Sequence, residues 1–289
     1  MNVKIACDSA ADLFPHEITD NDIHCFPLII IRDDAEYYDG VTISALDVFD
    51  QMRDEAVFQT AQITFATFYE YFEQMAKEGR PCLYIAFSSE LSGTFNTSML
   101  AREEILNNYP DAAIEVLDSK CASAGCGLVI LKAAEMAKKG YTIQEIKSYI
   151  PAYAEQVVHI FTPEKLEYLF RGGRVSKTSA FVGDVLGIRP LCQMKDGKLI
   201  PLYKVRGEKK LFAKMLEMLY EFAGEDLNEQ VITLTHADAK ESILKLKQFL
   251  EQHITCKSYR ITDLGPTIGS HVGPGTICIF AEGKDTPKL

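Results

Sequence analysis

Short apolar runs of strand length alternate with stretches of helical periodicity along the first two thirds of the chain, the pattern of a parallel α/β fold. Val3–Cys7 predicts a strand running into Asp8-Ser9, and His24–Ile31 a second, followed by a turn-rich acidic stretch through Gly40. Ser44 caps a predicted helix over Ala45–Arg53, with Asp47 three residues on as a capping box. Apolar or aromatic residues at 65, 68, 69, 72, 75 and 76 predict a helix over Phe65–Lys77, closed by Gly79. Cys82–Phe87 reads as a buried strand, Thr94–Asn107 as a helix ended by Asn-Asn-Tyr-Pro, and Ala113–Leu117 as a strand. Gly127–Lys139 and Thr142–Glu155 follow as helices with Gly140 between them.

A second segment opens at Val157–Phe161, an apolar run that holds His159. Pro163–Phe170 predicts a helix stopped by Arg171-Gly172-Gly173-Arg174, and Leu191–Met194 with Leu199–Val205 a hairpin around Asp196-Gly197. Lys209–Ala223 and Ala239–His253 read as helices, and Gln230–Thr235, Ser258–Asp263 and Thr276–Ala281 as strands. The expected division is a domain over residues 1–155 and another over 156–289.

Composition narrows the functions. The 30 Lys+Arg against 41 Asp+Glu leave a net charge of -11, so a nucleic-acid partner is not expected, because phosphate binding needs clustered positive charge. No apolar run has the length of a membrane span. The start, Met-Asn-Val-Lys-Ile-Ala-Cys-Asp, reads as a strand and not as a signal peptide. Eight cysteines lie scattered with no C-x-x-C pair and no histidine at metal spacing, so no metal is expected and reduced thiols in a cytoplasmic protein are.

Candidate chemistry begins at strand ends. Asp8-Ser9, Ser88-Ser89 and Asp118-Ser119 each follow an apolar run, and in an open parallel sheet such carboxyl ends line the ligand crevice. Ser92 and Thr60 each stand before a predicted helix, where unpaired N–H groups favour a carboxylate or phosphate; either residue could equally be a plain cap. Gly265–Thr276, with four glycines and two prolines, predicts a tight backbone-exposing loop with His271 at its centre, the one histidine of six singled out. Arg171-Gly172-Gly173-Arg174 is a cationic turn suited to an anion or an acidic surface. No phosphate loop, dinucleotide fingerprint, H-E-x-x-H or G-x-S-x-G is present. An acyl hydrolase or acyltransferase using Ser92 and His271 stands as the enzymatic alternative.

Seven motifs occur in order: Asp8-Ser9, Thr60-Ala61-Gln62-Ile63-Thr64, Ser88-Ser89-x-Leu91-Ser92-Gly93-Thr94, Asp118-Ser119, Leu166-x-Tyr168-Leu169-x-x-Gly172-Gly173-Arg174, Lys204-x-Arg206 and Ile268-Gly269-Ser270-His271-Val272-Gly273-Pro274-Gly275. Together, across nearly the whole chain, they resemble the DegV family of fatty-acid-binding proteins, the acyl-carrying subunits of bacterial fatty acid kinase. The resemblance implies two α/β domains, the N-terminal one with a mostly parallel sheet and the C-terminal one with a mixed sheet flanked by helices. One long-chain fatty acid would lie between them. It further implies a non-catalytic, cytoplasmic lipid-binding protein without cofactor, its carboxylate held by Thr60, Ser92 and His271. Gly93, Arg174 and Arg206 would lie toward the head group or the face of a partner kinase that forms the acyl phosphate. Contact with a membrane surface would serve ligand exchange. The sequence departs from the family pattern at Ala61 and Ile63, where serine and proline are common, and at Ser270 and Val272 around His271.

The residues agree with such a ligand. Two hydroxyls and an imidazole suit one carboxylate, and 16 Phe and 8 Met offer adaptable apolar walls. At about 0.8 kcal/mol per buried methylene, the tail would dominate affinity.

Overall fold

The computed structural model describes residues 2–176 and 187–288. The chain lays down β1 (Lys4–Asp8), α1 (Pro15–Asp20), β2 (His24–Phe26), β3 (Ile29–Arg32), β4 (Ala35–Tyr38), α2 (Ala45–Arg53), β5 (Gln59–Ala61) and α3 (Phe65–Lys77). It continues through β6 (Cys82–Ala86), α4 (Thr94–Asn108), β7 (Ile114–Asp118), α5 (Ser123–Lys138), α6 (Ile143–Glu155), β8 (Val157–Thr162) and α7 (Glu167–Arg171). The rest comprises β9 (Ile188–Lys195), β10 (Lys198–Arg206), α8 (Glu208–Ala223), β11 (Val231–His236), α9 (Lys240–Glu251), β12 (Ser258–Asp263), α10 (Pro266–Val272) and β13 (Ile277–Glu282).

The described residues form three sheets. The first is four-stranded, ordered β2-β1-β6-β7, and parallel throughout. Alternation along its strands splits the apolar residues between two faces. Ile5, Cys7, Leu83 and Ile85 pack with α5 and α6, whereas Ala6, Tyr84 and Ala86 pack with Phe68 and Phe72 of α3 and Ala101 and Ile105 of α4. The second sheet, β10-β9-β8-β13-β11-β12, is mixed, parallel only between β11 and β12. Val158, Ile160, Ile277 and Ile279 face α8 and α9, so their neighbours Phe161, Cys278 and Phe280 must face the other way. There they meet Ile30, Phe49 and Ala124 from the first half of the chain, which makes the outer face of this sheet one wall of a cleft.

The predicted fold class, α/β with a parallel and a mixed sheet, is the observed one. Local chemistry set several elements to the residue. Ser44 Oγ accepts from Asp47 N at 3.2 Å and Asp47 reciprocates on Ser44 N at 3.1 Å, which starts α2 where predicted. α3 and β12 also have their predicted limits.

Other stretches differ. His24–Ile31 is two strands in two sheets, because Pro27 has no N–H to continue a ladder. The acidic stretch before Gly40 contains β4, the edge of an antiparallel sheet β4-β3-β5. The helix predicted over Pro163–Phe170 starts only at Glu167, the preceding turn placing Glu164 against Gly275. The expected open loop Gly265–Thr276 is largely a buried helix, α10, which packs on α2, α7, β3 and β5. That packing is close: a Cβ at Gly269 would lie 2.5 Å from the Phe49 ring, so glycine there lets α10 lie directly on α2.

Candidate functional site

Between the outer face of the mixed sheet and the first half of the chain lies a cavity of about 220 Å³. Its walls are mostly apolar: Leu28, Phe87, Leu91, Met194, Leu199, Leu264, Ile268, Phe161, Cys278 and Phe280. Thr60, Ser92, Gly93, Arg174 and His271 also line it, so five of the six residues selected from sequence converge on one space.

Each arrives by a different route. Thr60 sits on β5, opposite Ile30 of β3, and is not at a helix start as expected; the cap of α3 is Thr64 instead, whose Oγ1 accepts from Thr67 N at 3.2 Å. Ser92 does precede a helix, and its Oγ accepts from Thr94 N at 3.3 Å beside a 2.9 Å contact with Thr94 Oγ1. Gly93 begins α4 with the Gln62 side chain packed against its Cα, and Gln62 Nε2 donates to Thr97 Oγ1 at 2.9 Å. His271 projects from α10, with Nε2 2.8 Å from Thr60 Oγ1. Arg174 reaches in from the turn after α7, donating from Nε to Leu91 O at 3.0 Å and from Nη1 to Gly172 O at 2.6 Å. Arg206 is different: it ends β10, is exposed and does not line the cavity.

Burial, with the Arg174 charge beside it, brings the His271 imidazole down to about 3, so it is neutral at pH 7. The ring is buried, although the glycine-rich sequence around it predicts an open loop. The turn after α7 closes on the ring instead: a Cβ at Gly172 would lie 2.3 Å from His271 Nδ1.

The strand-end pairs have another role than expected. Asp8 Oδ2 accepts from Tyr84 Oη at 2.8 Å and from Phe87 N at 3.0 Å, and Ser89 Oγ donates to Asp118 Oδ2 at 2.6 Å. These groups bind one another, fixing the loops that carry Phe87 and Ser92. Burial raises Asp8 to about 6.

His159 also lines the cavity, and the sequence reading passed over it. The available signal was alternation: with Val158 and Ile160 facing the helices, His159 and Phe161 had to face the cleft. Its Nδ1 lies 2.9 Å from Val157 O, which can only accept, and Nε2 accepts from Ala122 N at 3.3 Å. Both nitrogens are therefore used, burial lowers it to about 4, and it presents carbon to the cavity. Ser123 is likewise spent, donating to Asp12 Oδ2 at 2.5 Å. The polar lining that remains comprises Thr60, Ser92, His271 and Arg174, together with Thr267, whose buried Oγ1 has no hydrogen-bond partner among the described residues.

Among the described residues no cluster of His, Cys, Asp or Glu could hold a metal, and no helix is long and apolar enough to cross a membrane. The eight cysteines are free thiols.

A family model described as "Uncharacterised protein, DegV family" matches residues 2–284. A DegV domain-containing protein of Clostridium perfringens is 38% identical over 282 residues, 96% of this chain and 97% of its own. A Thermus thermophilus structure described as showing fatty acid binding by a DegV family protein superposes with a TM-score of 0.88 at 25% identity, over 98% of this chain and all of its own. A stearic acid-binding protein of Eubacterium ventriosum superposes with a TM-score of 0.86 at 25% identity, over 98% of each chain.

Proposed function

The chain belongs to the DegV family, and from that premise we propose that it binds one long-chain fatty acid in the cleft cavity, with the acyl tail along the apolar walls and the carboxylate at Thr60, Ser92 and His271. One observation carries the reading: an otherwise apolar cavity is lined by two hydroxyls, an imidazole and a guanidinium from four separate segments, with His271 bonded to Thr60. The solved relatives that bind fatty acids share this architecture. Thr60 and Ser92 supply hydroxyl donors, and Arg174 supplies, among the described residues of the lining, the positive charge that offsets the carboxylate. The two domains, 1–155 and 156–289, then close on the ligand from either side.

The protein is a carrier, not a catalyst. His271 Nε2 is taken by Thr60 and Ser92 Oγ by Thr94, so the serine–imidazole bond that would activate a nucleophile is not formed. The carboxylate end borders Gln62, which is exposed, so the head group can be reached by a partner from outside. A kinase that phosphorylates the bound carboxylate is the partner class the family resemblance supplies, with Arg206 on the partner-facing surface. Exchange of ligand at a membrane surface and a cytoplasmic site of action complete the proposal.

Native mass spectrometry of gently purified protein tests it. The expected result is one long-chain acid per chain, displaced by added stearic acid. A protein that is always empty and ignores added fatty acid would refute the reading, as would ester hydrolysis lost on Ser92→Ala.

A further inference from the structure

The helix that carries His271 belongs by sequence to the C-terminal segment but is fastened to the N-terminal one. α10 has no side-chain cap of its own. Its first amides are bound instead by two buried carboxylates from far along the chain: Gly265 N donates to Asp12 Oδ1 at 2.9 Å, and Thr267 N to Asp39 Oδ2 at 3.3 Å. Each carboxylate is itself held. Ser123 Oγ donates to Asp12 Oδ2 at 2.5 Å and Ser9 Oγ to Asp39 Oδ2 at 2.8 Å, while Asp39 N donates to Leu28 O at 2.9 Å. Asp12 and Asp39 are 7% and 5% exposed, so neither bond exchanges freely with water. At the other end of the same helix, His271 meets Thr60 on β5. The helix is thus held at its start by two buried carboxyl groups and at its end by the 2.8 Å hydrogen bond between His271 and Thr60.

We propose that Asp39 and Asp12 are positioning residues for the head-group histidine: by accepting from the first amides of α10 they fix that helix on the N-terminal half and hold His271 against Thr60. The inference rests on the fatty-acid reading of the cavity and deepens it. A residue that merely stabilised the fold would, when altered, weaken every ligand of the cavity alike. A positioning residue acts chiefly on the head group, because α10 contributes Ile268 and Val272 to the apolar lining while Phe87, Leu91, Phe161, Met194 and Phe280 stand on other elements.

The test uses the full chain and compares stearic acid with stearyl alcohol, which has the same tail and no carboxylate. Asp39→Ala is expected to weaken the acid by about tenfold, the worth of one buried hydrogen bond, and the alcohol by less than about twofold. Asp39→Asn keeps an oxygen for Thr267 N and is expected to stay within about threefold of wild type for both. In ligand-free protein, the ¹⁵N resonance of His271 Nε2 should lose its hydrogen-bond shift in Asp39→Ala and keep it in Asp39→Asn. Equal weakening of acid and alcohol, or an unchanged His271 resonance in folded Asp39→Ala, overturns the proposal. Should Asp39→Ala not fold, Ser9→Ala removes one support of the same carboxylate. It should shift selectivity in the same direction, and unchanged selectivity there would equally overturn the inference. Wild-type protein that binds no stearic acid would refute the function, while the ligand-free His271 spectrum would still decide the positioning role.

Discussion

Two adjacent glycines give opposite expectations, and the difference is worked from geometry. At Gly172 the backbone φ is -71°, which any residue adopts, so Gly172→Ala by itself should gain about 0.4–1 kcal/mol from the less flexible unfolded chain. The new Cβ, however, would lie 2.3 Å from His271 Nδ1, 3.1 Å from Cε1 and 3.3 Å from Tyr168 O, where ordinary contact begins at 3.4 Å. The imidazole must then move by about 1 Å, more than the 2.8 Å bond to Thr60 tolerates. Overpacking costs about 1–3 kcal/mol and the lost hydrogen bond about 0.5–1.5 kcal/mol, so the backbone gain is outweighed. The expected outcome is a lower Tm and a Kd for stearic acid raised by about tenfold, with stearyl alcohol little affected. Gly173→Ala is the control. Its φ of 72° strains any side chain, but nothing lies within 4 Å of the new Cβ. It should cost about 1 kcal/mol of stability and leave affinity alone. Calorimetric melts with fluorescent-ligand displacement read both quantities. Wild-type affinity in Gly172→Ala, or an equal loss in Gly173→Ala, would refute the reasoning.

Ser92→Ala removes a hydroxyl that accepts from Thr94 N, and is expected to cost about 0.5–2 kcal/mol in a melt and to weaken stearic acid severalfold; unchanged affinity would take Ser92 out of the head-group site. Burial raises Asp12 to about 7, so ionising it costs stability as pH climbs from the ordinary carboxylate range to 7. Asp12→Asn keeps Gly265 N and Ser123 Oγ bonded while removing that cost, so its Tm advantage over wild type should grow from pH 5 to pH 8, and a constant difference would contradict the burial argument. His271 has the opposite sign: held down to about 3, it favours the folded state above pH 6.5 and loses that contribution as pH falls toward 3. Stearic acid affinity should therefore be flat from pH 6 to pH 8, and a steep fall with rising pH through that range would show that a charged imidazole is the partner.

Much of this fold was legible where the deciding forces are local. The Ser44–Asp47 box, the apolar stripe of α3 and the Asp196-Gly197 turn each lie within a few residues of what they determine, and each came out as predicted. The failures lie where a distant partner decides. Gly265–Thr276 reads as loop because its glycines and prolines disfavour helix, yet Asp12, Asp39 and Phe49 satisfy its amides and cover it, more than 200 residues away in sequence. Thr60 lines the cavity from a strand and not from the helix start that the sequence pattern predicts. Asp8 and Asp118 were selected as pocket groups because strand order alone does not show that Tyr84 and Ser89 already occupy them. Arg206, taken from a motif and not from local chemistry, ends on an exposed strand away from the cavity.

The head-group chemistry follows from how little charge the site contains. A carboxylate removed from water needs compensation, but two buried cations would repel each other in its absence. Here Arg174 carries the charge and is only half-buried, so it keeps part of its hydration when the cavity is empty. His271 stays neutral and acts on Thr60 instead. If Nε2–H donates to Thr60 Oγ1, the threonine hydroxyl proton is left to point at the ligand, so the imidazole sets the direction of a neutral donor. On the proposed function the carboxylate would gain orientation from hydroxyls and charge from one guanidinium, while each tail methylene would contribute about 0.8 kcal/mol. Affinity would then be set by the walls and discrimination by a few hydrogen bonds, so displacing His271 by about 1 Å should separate acids from alcohols rather than abolish lipid binding.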